Sequence, residues 1–288
     1  MTTVLPKVSI ICTCFNHEHY VVESLQSVLS QSYKNYELIV IDDGSSDRSA
    51  AVIENFQRQH PQFTFIRLER NEGICKAFNT GFNVSNGDFI IDLAADDVLL
   101  PDRVERGVEL FKTLDNNYGV IFADAEWIDA HGNRLFLHSQ KYPHDTIPQG
   151  DIYKDLIERY FICSPTIMFR KSVIDTLGGY DETLTYEDFD FWIRSSRIYK
   201  YRYQRDVLVK KRKLKNSLSH NQFKILNKHS YSTYNVCCKI LELNRTDVER
   251  DALRRRIQYE IRQSIKTLDA SLAYKYFLLW LKNNSRRF

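Results

Sequence analysis

The chain has 288 residues, of which 43% are apolar and 27% are charged, a composition that excludes long disordered, collagen-like and fibrous proteins. Its formal net charge of +3 conceals two opposite regions. Residues 1–196 carry 17 Lys and Arg against 30 Asp and Glu, a net charge of −13. Residues 197–288 carry 23 basic against 7 acidic side chains, a net charge of +16. This separation of charge needs an explanation.

The cysteines and the two ends of the chain indicate the cellular compartment. The six cysteines include no CxxC pair, which favours buried, reduced thiols over a metal site or a disulfide framework. Residues 1–7 lack the apolar core of a signal peptide, and the apolar run 276–281 is far shorter than the roughly 20 residues of a spanning helix. We expect a cytoplasmic protein, soluble or peripheral on the inner face of the cell membrane.

The first hundred residues alternate apolar, β-rich runs with segments of helical periodicity. Strands are predicted at 7–14, 36–41, 63–67 and 88–93, and helices at 19–31, 49–59 and 74–84. This order predicts an α/β fold with a doubly wound, mostly parallel sheet. Ligands bind such sheets beyond the carboxyl ends of the strands, where this chain places polar and acidic residues.

Beyond Pro101 the pattern is less regular. Further helices are predicted at 102–114 and 152–161, from Ser172 and after Tyr186, strands at 119–123 and 166–170, and an irregular polar stretch at 131–150. Residues 221–288 show the periodicity of three helices, with boundaries near 244–245 and 269. We expect an α/β domain over residues 1–220 and a basic helical region over residues 221–288.

Asp42 and Asp43 directly follow a predicted buried strand. Carboxylates at that position can accept hydrogen bonds from a nucleotide base or ribose. The sequence Asp-Gly-Ser-Ser-Asp that begins at Asp43 is also good turn and helix-capping chemistry. Both interpretations stay open on this motif alone.

Asp96 and Asp97 follow the fourth predicted strand. Paired carboxylates supply the hard oxygen ligands that Mg²⁺ or Mn²⁺ prefers, with diphosphate oxygens completing the coordination shell. The alternative is a cap for the helix that begins near Pro101, although two aspartates exceed what a cap requires.

Glu187 and Asp188 precede an aromatic, amphipathic helix. The helix dipole favours acidic residues there without any catalysis. A carboxylate beside an apolar cluster can equally acquire a raised pKa and act as a general base. No P-loop, GxSxG motif or GxGxxG motif after the first strand is present, which argues against simple kinase, hydrolase and dehydrogenase functions.

Five segments, taken together and in order, resemble the inverting GT-A glycosyltransferases of family 2. They are 8–16 (VSIICTCFN), 37–47 (ELIVIDDGSSD), 71–81 (NEGICKAFNTG), 87–101 (GDFIIDLAADDVLLP) and 178–194 (GGYDETLTYEDFDFWIR). The resemblance covers about residues 7–220. It implies a nucleotide-sugar-binding half over residues 1–100 and an acceptor-side half over residues 101–220.

The resemblance also implies roles for individual residues. Thr13, Phe15, Asp42, Asp43, Lys76 and Asp96 would bind the nucleotide sugar, Asp97 with Asp96 would hold Mn²⁺ or Mg²⁺, and Asp188 would be the general base supported by Glu187. The implied reaction transfers a sugar from a nucleoside diphosphate, UDP in our prediction, to a hydroxyl of a glycan or lipid-linked acceptor in surface polysaccharide biosynthesis.

Two positions depart from the family pattern. Relatives often have Asp-x-Asp-Asp where this chain has Ala94-Ala95-Asp96-Asp97, so one carboxylate is missing. Relatives also often carry Arg-x-His where this chain has Arg212-Lys213-Leu214. We expect a loop near Arg212 that faces the diphosphate. Either the metal shell lacks the ligand that the absent histidine would supply, or Lys211, Arg212 or His220 makes the anion contact instead.

The basic C-terminal region combines aromatic and cationic residues. Its last segment places Tyr276, Phe277 and Trp280 near Lys275 and Lys282, a pattern that suits an anionic membrane surface. The alternatives are packing on the catalytic domain or on a second subunit of a homo-oligomer. Nucleic acid is not expected as a partner, since no binding motif accompanies the charge.

Two other functions remain as rivals to a transferase. One is a non-catalytic nucleotide-sugar-binding or scaffold protein, against which the retained Asp43, Asp97 and Asp188 argue. The other is a nucleotidyltransferase on a similar sheet, but the Gly-rich, basic first loop that such an enzyme usually needs is missing.

Overall fold

The computed structural model describes residues 5–214 and 228–285. Its strands are β1 Val8–Cys14, β2 Tyr36–Asp42, β3 Thr64–Arg67, β4 Phe89–Ala94, β5 Val98–Leu99, β6 Tyr118–Ile128, β7 Arg134–Leu137, β8 Met168–Arg170 and β9 Lys200–Arg212. Its helices are α1 Val21–Leu29, α2 Ser49–Gln59, α3 Ile74–Asn83, α4 Arg103–Lys112, α5 His138–Lys141, α6 Tyr153–Glu158, α7 Lys171–Leu177, α8 Asp188–Ser196, α9 Lys228–Leu243, α10 Asp247–Lys266 and α11 Ala270–Ser285.

All nine strands form a single sheet in the order β3-β2-β1-β4-β8-β6-β9-β5, with β7 paired to β6. Strands β1 to β4 are parallel, as the alternation of apolar strands and helices predicts. Beyond β4 the sheet is mixed, because β8 runs antiparallel to both of its neighbours while β6 and β9 run parallel. The predicted α/β fold class is therefore confirmed, with the parallel pairing concentrated in the N-terminal half.

The sheet carries a hydrophobic core on each face, because successive side chains of a strand point to opposite sides. On β1, Ile10 and Cys12 belong to the core covered by α1, α2 and α4. Ile11 belongs to the other core, which includes residues of α3, α6 and α8. The C-terminal helices contribute to this second core through Val236, Leu253 and Tyr276.

Polar contacts also join the C-terminal helices to the sheet domain. The Arg256 guanidinium lies 4.2 Å from the Tyr160 ring centroid and 4.8 Å from that of Phe189. Arg197 donates a hydrogen bond to Glu249 at 2.7 Å. The boundaries predicted near residues 244–245 and 269 fall between α9 and α10 and between α10 and α11.

The loop predicted near Arg212 does not include Arg212 itself, and residues 215–227 lie outside the described residues. Residues up to Arg212 form the 13-residue strand β9, which pairs in parallel with β6 and is interrupted by register shifts. At the start of this strand the charged Lys200 and Arg202 alternate with the buried Tyr201 and Tyr203, and Leu208 and Val209 are buried further along. The charges concealed the period of two that indicates a half-buried strand.

All six cysteines are free thiols, and all except the partly exposed Cys238 are buried. None of the helices within residues 5–214 and 228–285 combines the length and the hydropathy that crossing a bilayer requires.

Candidate active site

The predicted donor-site residues lie at one edge of the sheet, where the parallel strands β1, β2 and β4 end. The carbonyl of Thr13 accepts a hydrogen bond from the backbone N–H of Ala95 at 3.0 Å. The carbonyl of Cys14 accepts one from the backbone N–H of Asp43 at 2.8 Å. The two aspartate pairs that the sequence singles out are therefore brought to either side of the β1 end, as the topology predicts.

The loop after β1 is fastened to the loop after β2. The side-chain oxygen of Asn16 accepts hydrogen bonds from the backbone N–H groups of Ser46 at 2.8 Å and of Asp47 at 3.3 Å. Asn16 has a φ of 58°, a left-handed conformation that asparagine tolerates better than most residues. Next to it, the Phe15 side chain is 41% exposed, so a large apolar ring lies open at the edge where the sequence predicts a base contact.

Asp42 and Asp43 differ in their surroundings. Asp42 is fully buried and closes the turn by accepting a hydrogen bond from the backbone N–H of Ser45 at 3.0 Å, and its Oδ2 has no partner among the described residues. Asp43 accepts hydrogen bonds from the backbone N–H groups of Glu72 at 2.7 Å and Gly73 at 3.0 Å. Burial raises the pKa of Asp43, against the lowering effect of those two bonds. Asp43 thereby ties the β2 end to the start of α3.

Lys76 lies on α3 and is 44% exposed. Its Nζ donates a hydrogen bond to Glu72 at 2.6 Å, one helical turn earlier. The lysine is therefore paired with a residue that directly precedes the N-cap of its helix, and its predicted place near the diphosphate stays a prediction.

Asp96 and Asp97 are buried carboxylates at the end of β4. Asp97 Oδ1 accepts a hydrogen bond from the backbone N–H of Arg212 at 2.8 Å, which joins the β4 end to the end of β9. Burial, followed by the charge of Asp96, raises the pKa of Asp97 to about 8. Two carboxylates held this close and away from water are costly unless a cation lies beside them.

The Arg212 side chain is buried and its donors are already used. Its Nε donates to the Asp96 carbonyl at 3.0 Å and one terminal nitrogen donates to the Asp129 carbonyl at 3.1 Å. The other terminal nitrogen forms an ion pair with Glu23 on α1. Arg212 thus fastens three segments around the site. His220, another residue expected to make the anion contact, lies outside the described residues.

Asp188 is the first residue of α8, and both of its oxygens accept hydrogen bonds. The Ser164 hydroxyl donates to Oδ2 at 2.7 Å, and the backbone N–H of Phe189 donates to Oδ1 at 2.7 Å. Beside it, burial and then the charge of Asp188 raise the pKa of Glu187 well above its ordinary value. Ser164 belongs to a short 3₁₀ turn, residues Ser164–Thr166, and nothing in the sequence pattern marks it as a site residue.

Asp92 is a second residue that the sequence analysis missed. It lies on β4, where Tyr180 donates a hydrogen bond to its Oδ2 at 3.0 Å. Burial, with a further contribution from the nearby Asp188, raises the pKa of Asp92 to about 7. A single carboxylate inside the apolar strand FIIDLA was the available signal, since charged residues are rarely buried without a role or a partner.

The residues at the β4 end fit a divalent cation that is held together with a ligand. Asp97 uses one oxygen for the Arg212 N–H, which leaves its second oxygen available, and Asp96 lies beside it. Within residues 5–214 and 228–285, no group of three or more His, Cys, Asp or Glu side chains is arranged to hold a metal ion. Two carboxylates plus diphosphate oxygens and water is a common environment for Mg²⁺. The donor set therefore suits a shared cation and does not suit a site made of protein ligands alone.

Comparison with known proteins identifies the family. The model of "Glycosyl transferase family 2" matches residues 9–178, a range that includes two of the three predicted acidic pairs and ends before Glu187 and Asp188. The chain belongs to glycosyltransferase family 2. It is 29% identical to an uncharacterized glycosyltransferase of Rickettsia typhi over 215 residues, 73% of this chain and 65% of that protein. It is 32% identical to the putative glycosyltransferase EpsE of Bacillus subtilis over 193 residues, 66% of each chain.

Solved structures show that this family 2 glycosyltransferase has the GT-A fold. Staphylococcus aureus TarS, residues 1–349 in complex with UDP-GlcNAc, superposes with a TM-score of 0.69 and 17% identity, covering 96% of this chain and 79% of that one. The mannosyltransferase PcManGT from Pyrobaculum calidifontis, in complex with GDP-Man and Mn²⁺, gives a TM-score of 0.65 at 13% identity, covering 98% and 88%.

Proposed function

We propose that this glycosyltransferase is inverting and metal-dependent. Its donor in this proposal is a UDP-linked sugar and its acceptor a hydroxyl of a glycan or lipid-linked sugar in surface polysaccharide biosynthesis. The observation that carries the proposal is the set of carboxylates around the ends of β1, β2 and β4, faced by Asp188 at the start of α8. The nucleotide sugars bound by TarS and PcManGT support the donor class, and their different bases leave UDP as our choice to be tested.

Asp188 acts as the general base in this proposal. The acceptor hydroxyl attacks the anomeric carbon, the bond from that carbon to the diphosphate oxygen breaks, and the electron pair leaves with the diphosphate. The hydroxyl proton passes to Asp188, which makes the weak nucleophile reactive. The hydrogen bond from Ser164 fixes the orientation of that carboxylate. One displacement by one nucleophile inverts the anomeric configuration and needs no second carboxylate nucleophile.

Glu187 supports the base by keeping its own proton. Burial and the neighbouring charges of Asp188 and Asp92 all raise its pKa. Two interacting carboxyl groups lose their protons in separate steps, and the raised pKa of Glu187 favours its protonated form beside the base.

The donor is held at the strand ends. Phe15 supplies an exposed ring for stacking against the base, and Asp43, with lone pairs beyond those used by Glu72 and Gly73, accepts from a base N–H. Thr13 and Asp42 line the floor of this site, and Lys76 would exchange its partner Glu72 for a phosphate. Asp96 binds the ribose or donor sugar and shares the metal with Asp97.

Asp96 and Asp97 would hold Mn²⁺ or Mg²⁺ in this proposal. The cation, when bound, stabilises the negative charge of the departing diphosphate as a Lewis acid. The protein contributes the two carboxylates and fixes Asp97 through the Arg212 N–H.

The exposed surface of α11 is our proposed contact with an anionic membrane on the cytoplasmic side. Tyr274, Phe277, Leu278 and Leu281 are each at least 44% exposed on this helix, and Lys275 and Lys282 lie among them. Apolar and basic side chains on one non-spanning helix suit an anionic interface. A second subunit covering the same surface is the competing outcome.

A thermal-shift screen of nucleotide sugars, with and without Mn²⁺, tests the donor site. A ligand at one hundred times its Kd stabilises the protein by about 2.7 kcal/mol. We expect a UDP-sugar to raise the Tm, and more so with Mn²⁺. If no nucleotide or nucleotide sugar raises the Tm, the donor-site proposal is wrong.

The Asp188→Asn variant tests the chemistry separately from binding. It should bind the donor as wild type does and lose transfer by a factor of about 10²–10⁴. The matched control is Asp145→Asn, which changes a side chain that is 84% exposed and far from the catalytic helix in sequence. Unchanged turnover in Asp188→Asn would rule out Asp188 as the base, and donor binding without turnover in wild type would favour the non-catalytic rival.

A further inference from the structure

Lys211 is a cation near Asp97, Asp188 and Asp96, and no group in the part of the chain that the structure describes forms an ion pair with it. Among the described residues, no oxygen accepts a hydrogen bond from its ammonium, and no carboxylate lies within 4.0 Å of it. The Trp127 ring, on the paired strand β6, lies 5.2 Å from Nζ and limits where the side chain can point. The neighbouring Arg212, by contrast, has its donors used by protein acceptors.

The strand pairing places Lys211 beside the proposed metal site. Val98, directly after Asp97, pairs with Lys210, directly before Lys211. Burial alone would lower the pKa of Lys211, but Cys163 and the carboxylates of Asp97, Asp188 and Asp96 raise it above its ordinary value. Lys211 is therefore charged at neutral pH and lies within electrostatic reach of both the β4 end and the base.

The charges around Lys211 determine whether a diphosphate can bind beside it. The carboxylates of Asp96, Asp97 and Asp188 would repel a diphosphate, and only cationic charge can offset that repulsion. The Arg212 side chain already binds protein acceptors. We propose that the Lys211 ammonium binds the diphosphate of the sugar donor and stabilises the negative charge that develops on it as the bond to the sugar breaks. This inference rests on the proposed donor site, and it assigns Lys211 the anion contact of the histidine that Leu214 replaces.

Calorimetric titration of the full chain with UDP, and in parallel with GDP, tests this role. Uridine and guanosine are the matched ligands without phosphate, and each titration is run in EDTA and again with MnCl₂. We expect Lys211→Gln to weaken binding of the nucleoside diphosphate about tenfold or more, since hydrogen bonds to charged groups are the strong ones. Binding of the nucleoside should stay within about twofold, because the base contacts do not involve Lys211.

Two further variants separate charge from structure. Lys211→Arg keeps the cation and should recover much of the lost affinity. Lys213→Gln removes an exposed lysine two residues along the chain and should bind all four ligands as wild type does. Thermal melting of each variant reports whether it is folded.

The outcomes distinguish this inference from the donor-site proposal. If wild type binds a nucleoside diphosphate and Lys211→Gln binds it equally well, the role of Lys211 is wrong and the donor site stands. An equal loss of diphosphate and nucleoside binding also overturns it, because it indicates a general structural role. If wild type binds neither diphosphate in either buffer, the donor site fails and the role of Lys211 fails with it.

Discussion

Replacing Asp92 with asparagine measures how much free energy of unfolding is lost by burying a carboxylate close to Asp188. Asparagine has nearly the same shape, and its side-chain oxygen can still accept the hydrogen bond from Tyr180. In the folded protein, burial and Asp188 raise the pKa of Asp92 from 3.8 to about 7. The folded state therefore keeps this proton over a pH range in which the unfolded chain has already released it.

The sign of the effect follows from proton binding. Between about pH 4 and pH 7 the unfolded state binds fewer protons at this site than the folded state, so the stability contributed by protonated Asp92 falls as pH rises. Each pH unit in that window changes the free energy of unfolding by about 1.4 kcal/mol, or about 4 kcal/mol across the whole window. The variant has no charge to bury and escapes this loss.

Urea denaturation of both proteins at pH 5 and at pH 8 provides the measurement. The free energy of unfolding of Asp92→Asn relative to wild type should increase by about 2–3 kcal/mol between those pH values. Asp145→Asn, which alters a carboxylate that is 84% exposed, should show no such change. A difference between Asp92→Asn and wild type that is constant with pH would refute the reasoning.

Three further changes test separate parts of the structure. Ser164→Ala removes the hydroxyl that donates to Asp188, and kcat should fall about tenfold with KM nearly unchanged, since only the base loses its orientation. Arg212→Met leaves buried acceptors unpaired and should lower the free energy of unfolding by about 3–5 kcal/mol in urea, whereas Arg205→Met, which removes an exposed ion pair on the same strand, should cost under about 1 kcal/mol. Phe277→Ser with Leu281→Ser should abolish cosedimentation with phosphatidylserine vesicles, and retained cosedimentation would contradict the proposed membrane contact.

The N-terminal half of the fold is predictable because its strands are buried on both faces. Such strands form continuous apolar runs, and β1, β2 and β4 lie within one or two residues of their predicted bounds. The predicted positions of the acidic pairs followed directly from these strand ends. Strand β9 was not predicted because its exposed face carries lysines and arginines that resemble a polar loop.

The different partners of Lys211 and Arg212 can be known only from the tertiary structure. Both are cations at the end of one strand, and the sequence offers each as a diphosphate contact. Neighbouring residues of a strand point to opposite faces, so their partners differ. Arg212 reaches the Asp96 and Asp129 carbonyls, whereas Lys211 packs over Trp127. The sequence indicates that the two side chains point to opposite faces of the strand, but it does not show which face lies toward the site.

Basic side chains of the C-terminal region contact residues of the acidic N-terminal region near Asp188. From α9, Lys239 pairs with Asp181 and with the buried Asp190, which lies two residues after the proposed base. From α10, Arg256 lies over the ring of Phe189, the residue between them.

Basic side chains of the C-terminal region, Lys239 and Arg256, therefore contact the first turn of α8. Asp190 also pairs with Arg194 on its own helix at 2.6 Å, so loss of Lys239 would remove one of its two cationic partners and weaken the contact between α9 and α8. The C-terminal helices consequently pack against the helix that begins with the proposed base, and the proposed membrane contact on the exposed side of α11 would act on a region that contacts α8.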